Sequence, residues 1–73
     1  MPTERQTECL LTISRLTKKT GYPPSRREIS GEMGVALNSV NQYLDNLRKQ
    51  GLVKWVKGAP RTLKITKKGA GFL

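Results

Sequence analysis

Two consecutive prolines, Pro23 and Pro24, divide the first half of this 73-residue sequence. Proline inside a helix breaks it, and it also keeps the preceding residue out of helical geometry. Ser25 and Glu28 follow at the spacing of a capping box, in which a hydroxyl and a carboxylate satisfy free backbone N–H groups at a helix start. The pattern therefore predicts a short helix over residues 26–33, which ends at the glycine that follows.

The segment before the prolines predicts a longer helix over residues 4–19. Thr3 and Gln6 form a similar capping box at its start. Lys18 and Lys19 lie near its end, where cations interact favourably with the helix dipole. Its apolar residues recur at intervals of three and four and so share one face for burial, namely Cys9, Leu10, Ile13 and Leu16.

A third helix is predicted over residues 38–50, after a turn at residues 35–37. Asn38 or Ser39 is expected to cap it, because short polar side chains accept hydrogen bonds from the first backbone N–H groups. Its apolar positions fall on one face at helical spacing, and they are Val40, Leu44 and Leu47. Polar side chains cover the opposite face and its margins: Asn38, Ser39, Asn41, Gln42, Asp45, Asn46 and Arg48.

Two short runs rich in β-branched and other apolar residues, over residues 52–57 and 61–66, predict a β-hairpin. The residues between them, Gly58-Ala59-Pro60, are typical of a short turn. The buried side of the hairpin is expected to contain Leu52, Val53, Trp55, Leu63 and Ile65. Three helices followed by a two-stranded hairpin make an α+β, mainly α, fold called the winged helix-turn-helix. We expect one domain over residues 1–66 and a flexible basic tail over residues 67–73.

Basic residues are concentrated in the second half of the chain, whose formal net charge is +9. Residues 1–45 contain six basic and five acidic residues, whereas residues 46–73 contain eight basic residues and no acidic one. A one-sided cationic surface attracts phosphate groups, and duplex nucleic acid and membrane surfaces both present them. Improved solubility is the alternative explanation of the charge.

Other classes of function find little support in the sequence. Cys9 is the single cysteine and there is no histidine, so intrachain disulfides and ordinary zinc sites are excluded. The acidic residues are scattered, without paired carboxylates or a Gly-rich phosphate-binding loop, so we expect no enzyme, no metal, no cofactor and no small-molecule substrate. The sequence shows no hydrophobic signal core and no apolar run of membrane-spanning length, which predicts a cytoplasmic protein.

The polar face of the third helix has side chains suited to reading DNA. An α-helix fits the major groove, where Asn and Gln can bond to both N7 and N6 of adenine. Asn41 and Gln42 are the first choices for base contacts, followed by Ser39 and Asn38 and then by Asn46. An ordinary solvated face is the alternative, but such faces favour Glu and Lys over Asn, which is a poor helix former.

Contacts to the DNA backbone are expected from the start of the second helix and from the hairpin. Helix starts offer free N–H groups and a favourable dipole, and Lys and Arg attract phosphate on any sequence. The expected residues are Ser25, Arg26, Arg27, Lys54, Lys57, Arg61 and Lys64. Trp55 either covers the edge of the core or contacts a second copy of the hairpin. Asp45 could accept from cytosine N4, pair with a basic neighbour or make no contact.

Several of these segments together resemble the N-terminal DNA-binding domain of LexA repressors. They are Thr3-Glu4-Arg5-Gln6, Thr20 to Ile29, Leu47 to Val53 and Gly58-Ala59-Pro60-Arg61. The similarity covers about residues 3–66 and implies DNA reading by the third helix and dimerisation on palindromic sites. Two departures are visible. The loop before the third helix is about one residue shorter, and the self-cleaving Ser/Lys protease domain of those repressors has no counterpart in the 73 residues.

The sequence thus predicts a sequence-specific, double-stranded DNA-binding transcriptional regulator, and the resemblance implies a repressor of a bacterium, phage or plasmid. One winged helix reads only a few base pairs, so we expect a homodimer on an inverted-repeat operator in the nucleoid. The main alternative is a winged helix that binds another protein as an adaptor or inhibitor, although such surfaces are more often apolar. Binding of double-stranded RNA or left-handed duplex is disfavoured, because Asn41 and Tyr43 are two residues apart instead of four.

Overall fold

The computed structural model describes residues 2–73, in which three helices precede a small antiparallel hairpin. The elements in chain order are α1 (Glu4–Thr20), α2 (Arg26–Met33), α3 (Leu37–Lys49), β1 (Val53–Lys54), β2 (Lys64–Ile65) and α4 (Lys67–Ala70). In the hairpin Val53 lies opposite Ile65, and Lys54 lies opposite Lys64. This arrangement confirms the predicted winged helix-turn-helix fold.

Side-chain caps fix the starts of the first two helices, as the sequence predicts. In α1 the Thr3 hydroxyl accepts from the Gln6 N–H at 3.1 Å, and the Gln6 side-chain oxygen accepts from the Thr3 N–H at 3.2 Å. In α2 Ser25 and Glu28 make the same reciprocal pair, at 3.1 and 2.8 Å. Gly34 then ends α2 in the left-handed conformation at φ +69°, which a residue without a Cβ adopts at no steric cost.

One hydrophobic core joins the three helices to the hairpin. Its fully buried side chains are Cys9, Leu10, Ile13, Ile29, Val40, Leu44, Leu47, Leu52 and Val53. Because α1, α2, α3 and β1 all contribute, none of these elements can detach without exposing apolar surface. Burial, with a smaller contribution from the charge of Glu8, raises the pKa of the Cys9 thiol to about 11. The thiol is therefore protonated at neutral pH, and it packs as part of the core.

The third helix begins one residue before the predicted start and lacks a side-chain cap. Its N-cap is Ala36, whose carbonyl oxygen accepts from the N–H groups of Ser39 and Val40 at 3.0 and 3.2 Å. Asn38 and Ser39, the predicted caps, therefore lie inside the first turn. The prediction was wrong because a backbone carbonyl, which any residue provides, starts this helix. At the other end α3 stops at Lys49, one residue short of the predicted limit.

The hairpin has shorter strands than predicted. Each strand is two residues long, and residues 55–63 form the connecting loop in place of a short turn at residues 58–60. The Thr62 hydroxyl accepts from the Val56 N–H at 2.9 Å and donates to the Ala59 carbonyl oxygen at 3.1 Å. These side-chain hydrogen bonds replace the backbone bonds that a longer pair of strands would make.

The chain after β2 forms the one-turn helix α4, whereas the sequence predicts a flexible tail over residues 67–73. Thr66 caps this helix by accepting from the Gly69 N–H at 3.0 Å, and its hydroxyl donates to the Gly51 carbonyl oxygen at 2.6 Å. Gly69 is buried against the backbone of Leu52. The sequence pattern did not reveal this helix because the Thr66 and Gly69 contacts form only when the hairpin is folded. The domain boundary at residue 66 stays a prediction.

Replacement of Gly69 by alanine is expected to destabilise the domain. A Cβ at this position would collide with the Leu52 carbonyl oxygen and lie 2.9 Å from Ile65, so α4 would have to shift away. We expect the free energy of unfolding, measured by urea denaturation, to fall by about 1–3 kcal/mol. Gly31→Ala is the matched control, because its Cβ would meet no atom within 4 Å and alanine favours the helix. Equal stability of the two variants would contradict the docking of α4.

Candidate nucleic-acid interface

The exposed face of α3 is determined by the burial of its other face. Three residues of α3 are fully buried in the core, and they are Val40, Leu44 and Leu47. Residues on the opposite side of the helix therefore face the solvent. Among the predicted base-contacting residues, the exposed ones are Asn38, Gln42 and Asn46. Ser39 and Asn41 are half-buried and lie at the two margins of this face.

One margin of α3 lies beside α1. Gln50, the C-cap of α3, donates from its side-chain amide to the Gln6 side-chain oxygen in α1 at 2.9 Å. Ser39 lies seven residues before Asn46, and Asn46 lies four residues before Gln50, so all three share this side of the helix. These two predicted base readers are therefore the ones farthest from the hairpin.

The other margin of α3 faces α2 and the hairpin loop, where four side chains meet. Arg26, the first residue of α2, donates from Nη1 to the Asn41 side-chain oxygen at 2.8 Å. Its guanidinium lies 4.7 Å from the centroid of the Trp55 ring, and the Arg48 guanidinium lies 4.6 Å from the same centroid. Both distances fall within the range of cation–π attraction. We call Arg26, Asn41, Arg48 and Trp55 the wing-side cluster.

Trp55 packs against the hydrophobic core and is half-buried. This position matches the interpretation in which Trp55 covers the edge of the core, and a contact with a second copy of the hairpin stays a prediction. The sequence did not reveal that Trp55 also supports two guanidinium groups. Arg26 and Asn41 are 15 positions apart, and their contact depends on how α2 packs against α3. No local pattern carries that information.

Arg61 joins the hairpin loop to the start of α2. Its Nη1 donates to Glu28 Oε1 at 2.8 Å and to the Pro23 carbonyl oxygen at 3.3 Å. Its guanidinium also lies 4.8 Å from the centroid of the Tyr22 ring. The backbone of Arg61 has φ +56°, which is uncommon for a residue with a side chain. Arg61 is a predicted phosphate contact, and in the unbound protein its charge is already paired with a carboxylate.

Glu28 therefore accepts hydrogen bonds from two elements. The Ser25 backbone N–H and, second, the Arg61 guanidinium lower the pKa of Glu28 from its ordinary value of 4.5. The side chain is ionised at neutral pH, and it stays ionised to a lower pH than an ordinary glutamate. One carboxylate thus both caps α2 and holds the hairpin loop in place.

Unlike Arg61, the other basic residues among the predicted phosphate contacts have no carboxylate partner in the part of the chain that the structure describes. Those that take part in no ion pair within residues 2–73 are Arg26, Arg27, Lys54, Lys57 and Lys64. Lys54 and Lys64 lie directly opposite each other in the hairpin, where like charges repel. An anion close to both would remove that repulsion. Ser25 differs from the rest, because its hydroxyl already accepts from the Glu28 N–H.

The chemistry of the surface around the wing-side cluster suits an anionic partner. Basic and aromatic side chains line the cleft there, among them Arg26, Arg48 and Trp55. In the part of the chain that the structure describes, no group of three or more His, Cys, Asp and Glu could hold a metal ion. Across the same residues, the helices are all too short or too polar to cross a membrane.

Comparison with known proteins agrees with this geometry. The model of the family described as "LexA DNA binding domain" matches residues 2–62. A LexA repressor of Acetivibrio thermocellus is 41% identical over 63 residues, which is 85% of this chain and 30% of the relative. The Thermotoga maritima LexA repressor is 40% identical over 65 residues, or 89% and 33% of the two chains. The chain therefore spans about a third of the length of the curated relatives that it matches.

The double role of Glu28 predicts an acid-sensitive contribution to stability. Because its pKa is lower in the folded protein than in the unfolded chain, this contribution is present above the unfolded value and is lost as the pH falls through the folded value. We expect Glu28→Gln to lower the thermal unfolding temperature at neutral pH. The difference from the wild type should close as the pH falls below about 4.5.

Circular dichroism melts across this pH range would measure the difference. Glu32→Gln is the matched control, because it removes an exposed ion pair with Arg15 at 3.5 Å from a residue outside the capping box. It should change the unfolding temperature much less. A Glu28→Gln deficit that stays constant down to acidic pH would refute the role of the ionised carboxylate.

Proposed function

The chain belongs to the LexA DNA-binding domain family, and we propose that it acts as a transcriptional repressor that binds double-stranded DNA at specific sequences. The family match confirms the resemblance noted in the sequence. The observation that carries the proposal is the polar face of α3, which lies opposite the buried residues of the helix and beside a basic hairpin. A helix exposed in this way fits the major groove.

Base contacts are proposed for the five polar residues of α3. Gln42 and Asn38 are exposed and lie on the middle of the face. Asn41 reaches the groove from the wing-side margin, and Ser39 and Asn46 reach it from the margin beside α1. The amide side chains can donate and accept at once, which is the property needed to distinguish base pairs in the major groove.

Contacts to the DNA backbone are proposed for the start of α2 and for the hairpin. The residues are Ser25, Arg26, Arg27, Lys54, Lys57, Arg61 and Lys64. Support comes from the charge distribution, because the chain has no acidic residue after Asp45. The repulsion between Lys54 and Lys64 is also easier to explain if a phosphate group binds nearby. Such contacts add affinity on any sequence.

We propose that the protein binds its operator as a homodimer. One α3 helix reads too few base pairs to select a single site in a genome, and two copies on an inverted repeat double that information. Trp55, on the hairpin loop, is a candidate for the contact between the two copies. Binding of this kind would place the protein on the nucleoid in the cytoplasm, without a catalytic role for this domain.

Selection from a random duplex library at near-physiological salt tests the proposal. We expect an enriched inverted repeat, bound about a thousandfold or more tighter than scrambled duplex. The spacing between the half-sites would report the dimer geometry. The absence of any enriched sequence would contradict the proposal and would favour the alternative of a protein-binding winged helix.

Gln42→Ala should relax the preference among selected sites. Loss of one bidentate base contact is expected to reduce discrimination at one base pair by about 1–3 kcal/mol. Affinity for scrambled duplex should change little, because no charge is removed. Titration of the selected site and its single-base-pair variants would measure both effects. If the mutant discriminates as well as the wild type, Gln42 does not read a base.

Lys54→Ala should have the complementary effect. Removing a phosphate contact is expected to weaken binding to all duplexes alike and to lower the slope of log affinity against log salt concentration by about one unit. The thermal unfolding temperature should not fall, because the change also removes the repulsion with Lys64. An unchanged salt slope would show that Lys54 lies away from the DNA backbone.

A further inference from the structure

Arg26 occupies an unusual position for a phosphate contact. The residue is half-buried, and its guanidinium bonds to Asn41 on α3 and stacks on Trp55 of the hairpin loop. The next residue, Arg27, is exposed and makes no side-chain hydrogen bond within residues 2–73. Two adjacent arginines at the same helix start therefore differ in their surroundings: one is held between three elements, and the other is free.

The hydrogen bond from Arg26 fixes the orientation of the Asn41 amide. A side-chain amide on an exposed helix can rotate so that either its oxygen or its nitrogen faces a given direction. A guanidinium has donors only, so it selects the rotamer whose oxygen faces Arg26. The bond is also charge-assisted, which makes it stronger than a neutral one. The Asn41 amide nitrogen is thereby left to donate to a partner outside the protein.

The rest of the wing-side cluster also offers donors. Arg48 holds its guanidinium on the same Trp55 ring as Arg26, and arginine has no acceptor atom. In the major groove guanine presents two adjacent acceptors, N7 and O6, whereas adenine presents one acceptor and one donor. Asp45 lines the same cleft, and its carboxylate can accept from the N4 amino group of the paired cytosine. The cleft therefore complements a G·C base pair.

We infer that Arg26 is a positioning residue for base readout: it orients the Asn41 amide so that the wing-side cluster reads guanine. The inference rests on the proposed DNA-reading role of α3. It adds a second role to the backbone contact proposed for Arg26, and it changes the base that Asn41 is expected to read from adenine to guanine. Trp55 supports this geometry, because both guanidinium groups stack on its ring beside α3.

Arg26→Lys tests the inference, because lysine keeps the charge but lacks the planar group that stacks and bonds in a fixed direction. Binding would be titrated on the best wild-type site and on duplexes with each base pair replaced in turn. We expect discrimination at one G·C pair to fall about tenfold, the size of one lost base contact, while the salt slope keeps its wild-type value. Arg15→Lys, in an exposed ion pair of α1, is the matched control and should leave discrimination unchanged.

A double variant separates action through Asn41 from independent action. Asn41→Ala should lose discrimination at the same base pair, and adding Arg26→Lys to it should cause no further loss. Additive losses, or a loss at a pair other than G·C, would overturn the inference, as would full discrimination by Arg26→Lys. If the wild type itself showed no preference among duplexes, the proposed function would fail and the inference with it. Thermal melts of each variant would confirm that the fold is intact.

Discussion

The burial of one face of α3 is the constraint on which the rest of the structure depends. Each fully buried Leu or Val stabilises the fold by about 1.5–3 kcal/mol, and a small domain has a total stability of only about 5–15 kcal/mol. Val40, Leu44 and Leu47 therefore fix the rotation of α3 about its own axis. Any other rotation would bury polar side chains and expose the leucines. The rotation of α3 therefore determines which face is exposed, and this is the face that we propose reads DNA.

A second constraint links the hairpin loop to the helices. The pairing of β1 and β2 involves two residues from each strand, which is too little to fix the loop between them. Arg61 supplies the missing restraint through Glu28, the residue that also caps α2. A local capping interaction and a long-range ion pair thus meet at one carboxylate. The position of the basic hairpin relative to α3 depends on this shared contact as much as on the sheet.

The sequence predicted the features that depend on local chemistry. The starts of α1 and α2 were predictable because each capping box involves residues three positions apart. The start of α3 was not predictable, because Ala36 caps it through its backbone carbonyl, a group that every residue has. The length of the hairpin loop was not predictable either, because the hydrogen bonds of Thr62 depend on the folded geometry. Among the site residues, sequence periodicity indicated which side chains share the α3 face, but it could not show that Arg26 bonds to Asn41.

The arginines and lysines near α3 have different physical roles. Arg26, Arg48 and Arg61 each lie within 5 Å of an aromatic ring centroid, at 4.7, 4.6 and 4.8 Å. A planar guanidinium can stack on a ring and bond in a fixed direction, so these residues hold the geometry of the surface. The lysines of the hairpin take part in no ion pair within residues 2–73 and behave as strongly hydrated point charges. In the DNA-binding role proposed above, the lysine charges would supply affinity and the arginine geometry would supply selectivity. An exchange of Arg26 or Arg48 for Lys should therefore affect the choice of DNA sequence more than the strength of binding.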